Sequence, residues 1–111
     1  MTKKVFLIQS EGLGRGDDKL GLVLMSTFLR VLGESKDKPE SIVFWNTGVK
    51  LVCEGSPVLV LLKKIEEQGV TILACTTCLE YFQLQDRISV GKPTTMVKSI
   101  QSMLGSEMVT L

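Results

Sequence analysis

The stretch Val70-Thr71-Ile72-Leu73-Ala74-Cys75-Thr76-Thr77-Cys78-Leu79-Glu80 reads as a strand running straight into a helix. A continuous apolar, β-branched run behind Gly69 fits a strand buried on both faces, as in a parallel sheet. Thr77-Cys78-Leu79-Glu80 fits the capping-box pattern, in which a Thr hydroxyl accepts from the third backbone N–H and a Glu reaches back. That pattern predicts Thr77 as the cap, Cys78 as the first helical residue, and a short helix from Leu79 to about Leu84. Outward from this junction the alternation repeats. Val5 to Gln9 is a first strand, followed by the glycine-rich loop around residues 12–16 and a helix capped by Asp17 or Asp18 that runs to about Leu32, with Gly33 as its stop. Leu20, Val23, Leu24, Phe28, Val31 and Leu32 supply its predicted core face. Ser41 to Asn46 is a second strand, and Ser56-Pro57 opens a second helix that ends before Gly69. Ile88 to Val90 is a fourth strand, Thr94 or Thr95 opens a last helix to about Leu104, and Glu107 to Leu111 is a fifth strand. Strands alternating with helices predict an α/β fold with parallel crossovers.

The chain has 111 residues, 44% hydrophobic and 23% charged, with formal net charge +1 and no histidine. At roughly 150 residues per domain this is a single domain, residues 1–111, large enough to fold without a disulfide scaffold. Balanced charge argues against a nucleic-acid partner. Without histidine, His general bases, His metal ligands and Ser/His or Cys/His dyads are all excluded. Thiol, carboxylate and backbone chemistry remain. The basic start at Lys3 and Lys4 is followed by an apolar run shorter than the roughly 7–15 residues of a secretory signal core. Pro57 to Leu62 falls short of the ~20 residues a spanning helix needs. These features place the protein in the cytoplasm, away from membranes, where a close pair among its 3 cysteines is catalytic, redox-active or metal-binding more often than structural.

In an open α/β sheet the ligand crevice lies beyond the carboxyl ends of the strands. Four polar or glycine-rich segments follow strand ends here: residues 12–16, Asn46 to Lys50, Cys75 to Cys78, and Gly91 to Thr94. Cys78 at a helix start has free N–H groups nearby to favour a thiolate, with Glu80 opposing; Cys75, at the strand's end, is the more buried. The pair is open to three readings: packing, a metal site, or reactive thiols. Structural zinc needs four ligands and only Cys53 is left to add, so no metal site is assigned. Cys53 itself reads as an ordinary packed thiol. The loop at 12–16 lacks the spacing of either phosphate-binding glycine motif, and Asp17 and Asp18 would repel phosphate, so no nucleotide or other cofactor is called for. Gly14, Gly16, Asn46, Gly48, Lys50 and Thr77 are the candidate substrate-binding residues around the cysteines, with Lys50 and Arg15 the cations near that edge.

Taken in order, Leu13-Gly14-Arg15-Gly16-Asp17-Asp18-Lys19-Leu20-Gly21, Leu24-Met25, Phe28-Leu29, Asn46-Thr47-Gly48-Val49-Lys50-Leu51, Glu54-Gly55-Ser56, Gly69-Val70, Cys75-Thr76-Thr77-Cys78-Leu79 and Val90-Gly91 resemble the C-terminal domain of YedF-like proteins, in the DsrE/DsrF-like superfamily. The likeness spans about residues 4–111. It implies a three-layer α/β/α sandwich on a five-stranded, mainly parallel sheet, assembled into a homo- or hetero-oligomer. It also implies sulfur carried as a persulfide, with the reactive Cys-Leu position falling on Cys78, while Cys75 matches a cysteine often seen in the YedF-like branch. That branch is associated by name with selenium metabolism. Full-length relatives carry a TusA-like domain with a Cys-Pro motif that these 111 residues lack, so the resemblance implies a separate donor or acceptor protein with a reactive cysteine. Two other functions compete: a non-catalytic oligomeric module that binds a small molecule or partner, and a dithiol oxidoreductase using Cys75 and Cys78.

Overall fold

The structure, a computed structural model, describes residues 2–111; Met1, at the basic start read above, lies outside the described residues. Five strands, β1 (Lys4–Ile8), β2 (Ser41–Phe44), β3 (Thr71–Cys75), β4 (Lys92–Thr94) and β5 (Glu107–Thr110), form one sheet in the order β4-β3-β2-β1-β5. Every pairing is parallel, in registers such as Ile8 beside Phe44, Phe44 beside Ala74, and Cys75 beside Thr94. Four α-helices connect them: α1 (Asp18–Glu34), α2 (Leu59–Glu67), α3 (Thr76–Tyr81) and α4 (Met96–Leu104). A 3-10 segment, Asn46–Val52, follows β2.

Topology divides the helices between the two faces. The chain steps from β1 to β4 in one direction, and right-handed crossovers put the intervening helices on one face. The last crossover runs back across the whole sheet, so α4 lies on the other. Packing follows suit. Ile8, Ile42, Phe44, Ile72 and Ala74 form the larger core with Met25 and Leu29 of α1, Leu62 and Ile65 of α2, and Leu79 of α3. The opposite face carries the small cluster of Val5, Leu7 and Val43, with Leu73, Met103 and Met108 against it. Three unequal layers result.

Several boundaries differ from the sequence reading. Gly33 does not stop α1, because it lies inside the helix where an added Cβ would meet only the Ile65 and Lys64 side chains, both at ordinary contact distance. The helix buries Gly21, Met25, Leu29 and Gly33 and leaves Leu20, Val23, Leu24 and Val31 exposed, so the predicted core face is wrong at those four positions. α1 is apolar nearly all round, and the small Gly21 permits close packing: a Cβ on Gly12 would come 2.9 Å from its backbone. Ile88 does not begin the fourth strand; it makes an isolated antiparallel bridge to Cys53, and β4 starts at Lys92. The second helix begins at Leu59 rather than Pro57, with Ser56 Oγ accepting from the Val58 N–H at 3.2 Å. Asp17 and Thr95 do cap α1 and α4 through their side chains. On α4 the only buried residue is Ser99, whereas Met96, Val97, Ile100 and Leu104 form an outward apolar stripe.

Candidate functional site

The site lies where β2 and β3 end side by side. Phe44 pairs with Ala74, so the chain leaving β2 at Trp45 and Asn46 meets the chain leaving β3 at Cys75. α3 starts at Thr76, two residues earlier than the capping box predicted, with Cys75 as its N-cap and no side-chain capping bond. Thr77 and Glu80 therefore do not make the predicted box, and Cys78 is the third helical residue. Cys78, Tyr81 and Phe82 stand at i, i+3 and i+4 and share one side of the short helix. They line, with Asn46 and Thr77, a cavity of about 380 Å³. Tyr81 is 74% exposed at its rim and its ring is tilted against Phe82 at 5.1 Å.

The three thiols differ sharply. Cys75 and Cys53 are buried, and Cys78 is half-buried, open to this cavity. The Asn46 backbone N–H donates to Cys78 Sγ at 3.1 Å. Burial is the largest influence on the Cys78 thiol and pushes its pKa above the ordinary value. The Asn46 N–H pulls it down, a side-chain hydrogen bond and the charge of Cys75 push it up, and the backbone N–H of Cys78 itself pulls it down. The lowered pKa expected from a helix start is thus overturned, because removal from water outweighs the donors. Glu80 is exposed and is not among the groups acting on this thiol. Cys75, the N-cap of α3, stands close enough to Cys78 to push its thiol up.

Of the other predicted site residues, Asn46 and Thr77 join Cys78 in the cavity. Lys50 lies next door, its Nζ 4.8 Å from the centre of the Phe82 ring, in a second cavity of about 320 Å³ that also borders Cys53 and Glu11. Gly48 is buried under the loop; an added Cβ would sit 2.6 Å from the Ile8 carbonyl oxygen, so its role is close packing against β1. Gly14 borders a third cavity, with Ser10, Glu11, Asp17 and Asp18, and Gly16 is exposed in the same loop. Cys53 donates its S–H to the Val49 carbonyl at 3.2 Å, and burial, with Glu54 second, pushes its thiol up. Sequence reasoning missed Tyr81 and Phe82, although an aromatic pair three and four residues after a cysteine on a helix is a readable signal. No group of three or more His, Cys, Asp or Glu side chains among the described residues is arranged to hold a metal ion. None of the described helices is long and apolar enough to cross a membrane.

No protein-family model matches the chain, and no curated protein matches it in sequence. Solved structures do match it in fold. The YchN protein from E. coli superposes with a TM-score of 0.76 at 18% identity over 100% of both chains. MTH1491 from Methanobacterium thermoautotrophicum, a protein of unknown function, gives 0.69 at 19% identity over 97% of each chain. BT1422 from Bacteroides thetaiotaomicron, a conserved protein of unknown function, gives 0.66 at 18% identity over 98% of this chain and 95% of its own. At these identities the likeness carries the α/β fold and its five-stranded parallel sheet.

Proposed function

We propose that the protein is a cytoplasmic sulfur carrier in which Cys78 holds a sulfane sulfur as a persulfide and hands it to a partner thiol. The observation that carries this reading is the environment of one sulfur atom. Of the three cysteines, Cys78 alone is not buried; it lines a cavity at the carboxyl edge of the sheet, and its Sγ accepts a backbone N–H. In the loading step the Cys78 thiolate attacks the terminal sulfur of R–S–SH. A Cys78 S–S bond forms, the donor S–S bond breaks, and R–S⁻ leaves and takes up the proton. A thiol of raised pKa offers less thiolate at neutral pH but a more nucleophilic one, so the environment slows the attack less than the pKa alone suggests. Asn46 and Thr77 line the path to the sulfur, and Lys50, across Phe82, supplies a cation for an anionic donor or partner surface. Gly14 and Gly16 belong to a separate loop wall and enter this reading only as part of the same sheet edge.

The partner is a donor or acceptor protein with its own reactive cysteine, as the YedF-like resemblance implies for a TusA-like protein; selenium in place of sulfur follows the same route. The outward apolar stripes Leu20, Val23, Leu24 and Val31 on α1 and Met96, Val97, Ile100 and Leu104 on α4 support a homo-oligomer, since a helix apolar on its outer side ordinarily has a partner. The reading is tested by incubating the reduced protein with a small persulfide, removing the excess, and assaying cyanide-labile sulfur before and after adding an acceptor thiol. One equivalent per chain, discharged by the thiol and missing in Cys78→Ser, is expected. Undiminished sulfur in Cys78→Ser contradicts it.

A second reading is favoured by one observation: Cys75, the N-cap of α3, acts on the Cys78 thiol from three residues away. Attack of the Cys75 thiolate on Cys78 Sγ of the persulfide would form a disulfide and expel HS⁻, making the pair a dithiol couple. Sulfide released in step with disulfide formation, and abolished in Cys75→Ser, distinguishes that course from simple carriage.

A further inference from the structure

We propose that Asn46 is a positioning residue for Cys78: its left-handed backbone turn fixes its own peptide N–H on Cys78 Sγ, so that the main chain leaving β2 holds the sulfur anion. The inference rests on Cys78 being the reacting sulfur.

Two non-glycine residues among those described have positive φ, Asn46 at 52° and Gln83 at 56°. An L residue pays for this conformation, Asn less than most. Gln83 has a structural reason for it. Its N–H donates to the Glu80 carbonyl at 3.0 Å and the next N–H, of Leu84, to the Leu79 carbonyl at 2.8 Å, which is the paired-bond ending of a helix that turns left-handed at its last step. Asn46 ends no helix. Its left-handed turn stands at the start of the 3-10 segment, between the last extended residue of β2 and the loop against the site. Backbone strain of this kind concentrates where it serves a site.

The neighbouring donors are all committed elsewhere. The Trp45 N–H donates to the Ile8 carbonyl at 2.9 Å, and the Gly48 N–H to the Trp45 carbonyl at 2.9 Å. The Thr47 N–H donates to Asn46 Oδ1 at 2.8 Å, which occupies the Asn46 side chain as a brace for the turn. What remains is the Asn46 N–H itself, and its acceptor is Cys78 Sγ at 3.1 Å, 32 residues away in sequence. The loop is packed closely where it leaves this turn: Gly48 lies against the end of β1 with no room for a Cβ.

An N–H aimed at Sγ acts at both ends of the carrier cycle. It favours the thiolate that attacks the donor, and it favours the same thiolate as leaving group when R–S⁻ takes the outer sulfur, forming R–S–SH and breaking the Cys78 S–S bond. The other groups around Cys78 are the buried Cys75 thiol, the Tyr81 phenol and Thr77 hydroxyl in the shared cavity, exposed Glu80 on its own helix, and Lys50 beyond Phe82. The backbone donor is the one placed on the sulfur from the facing element.

The test replaces the Asn46 peptide by an ester, with the hydroxy-acid analogue of Asn at this one position, and compares it with Asn46→Gly, which keeps both the N–H and the freedom to adopt positive φ. The readout is the pH profile of iodoacetamide alkylation at Cys78, resolved by peptide mass. The ester should raise the Cys78 pKa by about one unit, roughly tenfold less thiolate at neutral pH, while Gly stays within about 0.3 unit of wild type. An unshifted ester, or a Gly variant shifted as far as the ester, overturns the proposal. Should the ester protein fail to fold by circular dichroism, Asn46→Val against Asn46→Gly decides it: a pKa raised in Val alone supports positioning, and equal pKa values overturn it. Because sulfur loading is not read, the expected ester shift in a protein that takes up no sulfane sulfur supports the positioning while defeating the carrier reading.

Discussion

The 3-10 segment Asn46–Val52 meets a cysteine at each end, and the two thiols occupy opposite hydrogen-bond environments. At its start, Cys78 Sγ accepts from the Asn46 N–H and opens to a cavity. At its end, Cys53 donates its S–H to the Val49 carbonyl and is 1% exposed. Burial raises both thiols, yet the consequences differ. A sulfur that gives its proton to a carbonyl is held as a thiol and shielded from reagents. One that receives an N–H keeps a place for negative charge, and its cavity admits a reactant. Hydrogen-bond direction and access, more than the pKa shift, separate the packed cysteine from the chemical one.

Alkylation of the native protein gives the largest expected contrast. Cys53 can react only through opening of the structure, so iodoacetamide should label Cys78 at least about 100-fold faster than Cys53, with the ratio collapsing toward one in denaturant. Peptide-resolved mass spectrometry measures it, and comparable native rates would erase the distinction. Next comes the shared segment. Gly48→Ala forces a Cβ into the Ile8 carbonyl and should cost about 1–3 kcal/mol in denaturant unfolding, and the displaced loop should also change the Cys78 alkylation profile while Cys53 stays protected.

Titration sharpens the comparison more gently. Both folded thiols sit above their ordinary value of 9.0, so the folded state holds protons that the unfolded chain releases as pH rises past that point. Their contribution to stability is complete below about pH 9 and declines as pH climbs through the raised folded values. Cys53→Ser keeps a donor for Val49 and removes one titrating group, so its unfolding free energy should fall less steeply above pH 9 than that of wild type. The smallest effect is expected from Lys50→Met, which loses the contact over Phe82 and should cost about 0.5–1 kcal/mol, with slower loading from anionic persulfides as the functional readout.

Much of this arrangement was legible in the residues. The alternation of β-branched runs and helical segments places all five strands' neighbourhoods and the parallel sheet and narrows the caps of α1 and α4 to two neighbouring residues each, of which the fold uses Asp17 and Thr95, because each rests on local pattern. The outward side of α1 was not legible. With Leu20, Val23, Leu24 and Val31 on one side and Met25, Leu29 and two glycines on the other, apolar spacing cannot choose which side the sheet covers; the backbone contact at Gly21 does. At the site, strand-end logic brings Asn46, Thr77 and Cys78 together, whereas Gly14 lines a different cavity. The direction of the Cys78 pKa shift is not legible because a helix start is visible in sequence, whereas the burial that outweighs it is a property of the folded chain. The Asn46 contact was invisible for the same reason.

The most direct measurement is the intact mass of the reduced protein after exposure to a persulfide donor, recorded beside Cys78→Ser, Cys75→Ser and Cys53→Ser. A gain of ~32 Da in wild type, Cys75→Ser and Cys53→Ser that is absent from Cys78→Ser is the predicted result, since the thiolate is the nucleophile and Cys78 is the one thiol of the three that is not buried from the donor. The same gain in Cys78→Ser, or none in any protein, would contradict it.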